Sequence, residues 1–178
     1  MTGDSGNGSR RAGLMALGSL GLLVVAGCAY RVGPSSGVPA GARSVAVMPF
    51  ENRSLEPRVT ENIATALRAQ LQQEGTYQLA RRGDADIVVS GIVTEIRREQ
   101  QSFAPSDVRI LRDYRLEIVA RVTATERGTD KVLLDQEVTG HTMLRIQNDM
   151  PSAERQAMPL LAANLARNIT SLLVDGSW

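Results

Sequence analysis

Among its 178 residues the chain has one cysteine and one histidine, and aromatic side chains make up only 3%. A lone cysteine has no disulfide partner, so no internal staple holds the fold. One histidine without a cysteine beside it cannot supply the usual zinc ligand sets. Few aromatics mean that the core must be aliphatic. An excess of charge of either sign is also missing: 20 basic residues face 19 acidic ones, a formal +1. Arg10, Arg11 and Asp4 carry that +1 within the first 27 residues, so the remainder is neutral. A neutral body lacks the basic face that nucleic acid requires, and its apolar content is too high for a disordered chain.

Recognisable catalytic motifs are absent as well. The chain has neither a Gly-rich phosphate loop nor a serine nucleophile elbow. His141 follows Gly140 near the end of an expected strand, and nothing nominates a nucleophile or an orienting partner for it. Asp84 and Asp86 flank Ala85 in an expected turn, where paired carboxylates are commonplace. No catalytic residue, metal ligand or cofactor is expected beyond a covalent lipid, and the chain is read as a non-enzyme.

What is present begins at the amino terminus. A polar start ends in Arg10-Arg11, an uncharged apolar stretch runs from Ala12 to Val25, and Val25-Ala26-Gly27-Cys28 follows. That is the layout of a secretory signal peptide with small residues at the cut, and its apolar run is shorter than the ~20 residues of a membrane span. The cysteine directly after the small residues resembles the lipobox of bacterial lipoproteins. Residues 1–27 are therefore expected to be removed and Cys28 lipidated, which also disposes of a free thiol in an oxidising compartment. Ser9-Arg10-Arg11 looks somewhat like a twin-arginine signal, but Gly13 stands where a large apolar residue is usual, which favours ordinary Sec export. Ala29, in place of the aspartate typical of inner-membrane retention, points to the outer membrane. Two acyl chains give stable anchoring where one does not.

Residues 28–42 are rich in Gly, Pro and Ser and read as a tether. The remaining 43–178 suffice for one domain. Ser44-Val-Ala-Val-Met-Pro-Phe50 predicts a buried strand, and residues 51–56 a loop. Pro57 suits the first position of a helix, whose stripe is Val59, Ile63, Leu67 and Leu71 and whose end is Gly75. Short and long strands follow at 77–80 and 87–96. Gly91 within the latter predicts a bulge or the close approach of another backbone. Residues 100–108 read as a loop. Alternation from Tyr114 to Ala124 predicts a half-buried strand, joined through a turn at 127–130 to a partner strand at 131–139. A last helix has Leu161, Leu165, Ile169, Leu172 and Leu173 on its apolar face and Ser152 as its expected N-cap. Pro159 predicts a kink or a broken first turn. The order implies an α+β two-layer sandwich: a mostly antiparallel sheet of four or five strands with two helices on one face.

One further pattern concerns recognition. Arg97, Arg98, Arg109, Arg112 and Arg115 fall around one loop and its flanking strand ends. Guanidinium groups suit bidentate phosphate contact, although Glu95, Glu99, Asp107, Asp113 and Glu117 nearly cancel them locally.

Several segments together resemble the LptE lipopolysaccharide-assembly lipoproteins. They are Gly27-Cys28-Ala29-Tyr30-Arg31-Val32-Gly33, Val45-Ala-Val-Met-Pro-Phe-Glu-Asn52 with Arg53, the helix pattern Thr60-Glu61…Ala66-Leu67 after Pro57, Ala85-Asp86-x-Val88-x-x-Gly91-x-Val93, the alternation Tyr114 to Val122, and Lys131-Val-Leu133. The resemblance implies a lipoprotein that sits in the lumen of the outer-membrane β-barrel LptD, helps it assemble, plugs it and contacts lipopolysaccharide without covalent chemistry. Lipopolysaccharide contact by the five arginines is read from their chemistry and not carried over from the family. The Val-Ala-Val-x-Pro-Phe-Glu-Asn element also occurs in envelope adaptors. The alternative is thus a periplasmic lipoprotein that regulates a peptidoglycan synthase or belongs to a secretion complex.

Overall fold

The computed structural model describes residues 43–57, 59–100, 113–145 and 149–176. The leader, Cys28, the tether, Arg109 and Arg112 lie outside the described residues. Strands β1 (Arg43–Val47) and β2 (Glu51–Asn52) are followed by helix α1 (Val59–Glu74) and strand β3 (Tyr77–Leu79). Three strands of equal length come next, β4 (Ile87–Gln100), β5 (Asp113–Glu126) and β6 (Val132–Arg145), and helix α2 (Met150–Asp175) closes the fold.

The fold is α+β, with the strands in the order β3-β1-β4-β5-β6 and β2 alongside β4. The long strands β4, β5 and β6 pair antiparallel, as the alternating sequence predicts. The short ones do not: β1 is parallel to both β3 and β4, and β2 is parallel to β4, which makes the sheet mixed. Helix α1 between β1 and β3 is the crossover that parallel neighbours need.

The stretch expected as one strand to Phe50, then a loop, is instead a single path along β4 with a break in it. Met48 N donates to the Val89 carbonyl at 2.8 Å, and Arg53 N to the Val93 carbonyl at 2.9 Å. Pro49, with no N–H to give, falls in the gap between β1 and β2. The break turns Phe50 inward onto Gly91, where a Cβ would lie 2.3 Å from the Phe50 ring. A side chain, not a backbone, therefore explains Gly91. The irregularity in β4 lies further on, between Val93 and Glu95.

Both helices cover one face of the sheet. Val59, Ile63, Leu67 and Leu71 from α1 and Leu161, Leu165, Ile169 and Leu173 from α2 form one aliphatic core with Val45, Ile87, Val89, Leu116, Ile118 and Val122. The α1 stripe and its Gly75 terminus match expectation; Gly75 has φ +80 and donates to the Leu71 carbonyl at 3.1 Å. One expectation for α2 is corrected and one is narrowed. Its N-cap is Asp149, whose carboxylate accepts from Ser152 N at 2.8 Å, so Ser152 already lies in the first turn. Pro159 sits inside a helix that continues on both sides of it. It removes the one N–H that would reach the Arg155 carbonyl, and the apolar stripe after it holds the helix on the sheet. The helix is long and apolar enough to cross a membrane by composition, yet its stripe is buried in the core.

Gly140 governs how close α2 comes to β6. A Cβ there would stand 2.7 Å from Leu165 N and 2.8 Å from Leu165 Cα. Beside this contact Asn164 Oδ1 accepts from His141 N at 3.0 Å, and Asn168 Nδ2 donates to the Thr139 carbonyl at 2.7 Å. One helical turn separates the two asparagines. Together they cap the middle of an edge strand whose main-chain groups would otherwise face outward.

Candidate functional site

The irregularity at Thr94 decides where the arginines point. Before it, Ile87, Val89 and Val93 face the helices; after it, the register moves from Val93↔Ala120 to Glu95↔Val119 and Ile96↔Ile118. One extra residue reverses the alternation. Ile96 and Arg98 now lie on the helix side, and Glu95 and Arg97 on the opposite face. The sequence reading placed Arg97, Arg98 and Arg115 in one cluster; the structure separates them by face.

On the helix side Arg98 reaches across two long-range partners. Its Nε and Nη2 donate to the Glu154 carboxylate at the start of α2, and Nη2 also reaches Glu56 Oε1 at 3.1 Å. These acids hold the guanidinium pKa above its ordinary value. Sequence reasoning missed both, because each lies more than 40 residues away from Arg98 and no local pattern signals the pairing. Two clefts flank this bridge. One, of about 480 Å³, lies between loop residues Arg53, Ser54 and Leu55 and the β4 segment from Thr94 to Arg98. The other, of about 700 Å³, lies between Pro57 and Asn62 of the α1 end and Pro151, Arg155 and Met158 of the α2 end. Leu55 is fully exposed beside the first.

On the opposite face charges alternate. Arg97 Nη2 meets Glu95 Oε2 at 2.7 Å and Nη1 meets Glu117 Oε1 at 3.4 Å, while Arg115 approaches Glu117 at 3.9 Å. Arg121 pairs with Asp135 at 2.8 Å and Arg145 with Asp113 at 3.0 Å. Glu95 and Asp135 are held below the ordinary carboxylate range by the hydrogen bonds from Arg97 and Arg121. Solvent screens exposed pairs of this kind and leaves them little weight in stability, so the face is held in place by its strands and not by its charges. Arg115 is placed differently, with a buried Nε that finds no hydrogen-bond acceptor among the described residues.

Asp84 and Asp86 do not converge on a site. The Asp86 carboxylate accepts from Ser44 N and Ser44 Oγ, both at 2.8 Å, which fastens the turn to the start of β1 and lowers its pKa. Asp84 donates its N–H to the Arg81 carbonyl within the turn at 2.9 Å. His141 lies well inside β6, not at its end, and is opposite Glu117 in the register. Among the described residues no three His, Cys, Asp or Glu side chains stand together as metal ligands. The site offers charge and hydrogen bonds for recognition.

Residues 42–173 match the family model for LptE, described as lipopolysaccharide-assembly. The chain belongs to the LptE lipopolysaccharide-assembly family. No curated protein matches it in sequence. Solved structures share the fold at low identity. A hypothetical protein from Chlamydia trachomatis is 11% identical with a TM-score of 0.52, covering 76% of this chain and 98% of its own. A minor lipoprotein from Acinetobacter baumannii is 16% identical with a TM-score of 0.50, covering 75% and 93%. A Xanthomonas campestris protein is 13% identical with a TM-score of 0.53, covering 82% and 91%. Membership of the LptE family assigns the chain to lipopolysaccharide assembly in the cell envelope.

Proposed function

We propose that this chain is an outer-membrane lipoprotein, anchored through lipid on Cys28, that assembles with and plugs an LptD-type β-barrel and supports lipopolysaccharide transport through it. The family match over residues 42–173 carries the reading. The work is non-covalent and needs no cofactor. A compact body with an aliphatic core, a charge-balanced surface and a lipid tether suits a plug that must be soluble before it docks.

The arginines are the proposed lipopolysaccharide contacts: Arg97 and Arg115 on one face, Arg98 on the other, with Arg109 and Arg112 in the segment between β4 and β5. A lipid phosphate would compete with the carboxylates that now hold Arg97 and Arg98, and bidentate contact favours it.

Purification of the lipidated protein from detergent-solubilised outer membranes tests the main reading. Co-recovery of a large barrel protein is expected. Recovery of a penicillin-binding protein with no barrel would replace it with the adaptor reading. A Cys28→Ser variant should leave the membrane fraction. Unchanged lipopolysaccharide binding by a triple alanine variant at Arg97, Arg98 and Arg112 would remove the arginines from the proposal.

A further inference from the structure

Among the described residues the second half of β4 has a strand partner on one side only. On its other side β2 pairs with Ile92 and Val93, and the last hydrogen bond runs from Arg53 N to the Val93 carbonyl. The chain then leaves the ladder: Arg53 to Glu56 line a cleft against Thr94–Arg98 without pairing with them as a strand, and among the described residues no strand pairs with that side of Thr94–Gln100. In an antiparallel ladder alternate residues turn their N–H and C=O toward and away from a given neighbour. Thr139 and His141 give their outward groups to α2, so their β5 partners, Val119 and Glu117, point toward β4. Glu95, Arg97 and Glu99 consequently bond to β5. Ile96, Arg98 and Gln100 present their main-chain groups to the open side.

We propose that this open edge, Glu95 to Gln100, receives an extended segment of a partner protein as an added strand. Outward main-chain donors and acceptors at every second residue are matched in spacing by another backbone. The partner's side-chain chemistry follows from the face opposite the helices. Glu95, Arg97 and Glu99 stand there in the order acid, base, acid; Arg97 meets Glu95 and Glu117 in pairs that are half-exposed and exchangeable for cross-strand partners, so the complementary strand reads basic-x-acidic-x-basic. That order is palindromic and serves a parallel or an antiparallel partner equally. On the helix side Arg98 is already neutralised by Glu56 and Glu154, and the cleft beside Leu55 and Ile96 leaves about 480 Å³ for alternate, uncharged side chains of the incoming strand. The edge of β6, by contrast, is occupied at its centre by Asn164 and Asn168. The inference does not depend on which envelope protein supplies the strand.

The test uses the lipidated full chain in detergent micelles and two fluorescent peptides, Thr-Lys-Val-Glu-Val-Lys-Thr and its charge-swapped form Thr-Glu-Val-Lys-Val-Glu-Thr. Binding of the first should be about tenfold tighter, from three cross-strand charge pairs. It should slow hydrogen exchange at the Ile96 and Arg98 amides, which face the open side. Arg97→Glu changes the sign of one pair in three, so it should reduce the preference without reversing it, while leaving the circular dichroism spectrum unchanged. Equal binding of both peptides, no binding of either, or binding without protection of those two amides would overturn the proposal. So would protection of the same amides by self-association in the absence of peptide.

Discussion

The two halves of β4 belong to one strand and live in different environments. From Ile87 to Val93 it is enclosed by β1 and β2 on one side, β5 on the other and the helices above, and Ile87, Val89 and Val93 have no exposed surface. From Thr94 to Gln100 it keeps β5, loses its other neighbour and is mostly charged. The irregularity at Thr94 marks the junction. The contrast separates scaffold from the proposed docking edge: burial supplies the stability in the first half, and the second is left, among the described residues, with main-chain groups and charges facing outward.

The contrast between buried core and outward-facing edge should break most visibly in the core under the helices. Leu165→Ala removes a fully buried side chain that packs beside Gly140, and a loss of about 2–5 kcal/mol is expected in urea unfolding. Leu55→Ser, at the open end, should stay within about 0.5 kcal/mol of the parent in the same assay. Next comes Gly140→Ala. Its methyl would meet Leu165 backbone at 2.7 Å, and a helix backbone cannot swing aside as a side chain can. About 1–3 kcal/mol should be lost. The companion Gly91→Ala meets the Phe50 ring first, at 2.3 Å, so pairing it with Phe50→Leu should recover part of its cost.

Smaller effects sharpen the boundary. Asn164→Ala withdraws the acceptor for the His141 N–H, and a loss of about 1 kcal/mol is expected, with faster hydrogen exchange at His141 and not at Ile118. Smallest is the acid response of Asp149. The hydrogen bonds from Ser152 lower its pKa in the folded protein. A carboxyl group with a depressed folded pKa contributes stability above its unfolded value and loses it as pH falls through the folded one. Thermal melts of an Asp149→Asn variant should therefore depend less steeply on pH below about 4 than those of the parent.

Much of the helix-covered core was legible in advance. Helix α1 was written in its four-residue stripe and its terminal glycine, the β5–β6 hairpin in strict alternation and the 127–130 turn, and the core face of α2 in Leu161, Leu165 and Ile169. Each of these signals is local, and propensity and periodicity act locally. The misreadings were non-local or came from a single residue. A proline inside α2 looked disruptive because its cost is local, whereas the burial that offsets it comes from β6 across the fold. Asp149 was passed over as a cap because Ser152 is just as good a capping residue. The arginines seemed to form one group because sequence proximity was read as spatial proximity. Alternation along a strand sends Arg97 and Arg98 to opposite faces in any case; the added residue near Thr94 decides which of them faces the helices, and nothing in Thr-Glu-Ile-Arg-Arg announces that.

By itself, the sequence determined the class of protein: a neutral α+β body behind a lipoprotein-like leader, with an aliphatic core and no catalytic motif. Those properties depend on composition and short-range pattern. Tertiary structure alone decided that β1, β2 and β3 lie parallel to their neighbours, that Arg98 is held by Glu56 and Glu154, and that, among the described residues, no strand pairs with one side of β4 beyond Val93. Each depends on which distant segments meet, and therefore on where the chain's main-chain hydrogen bonds find partners and where they do not.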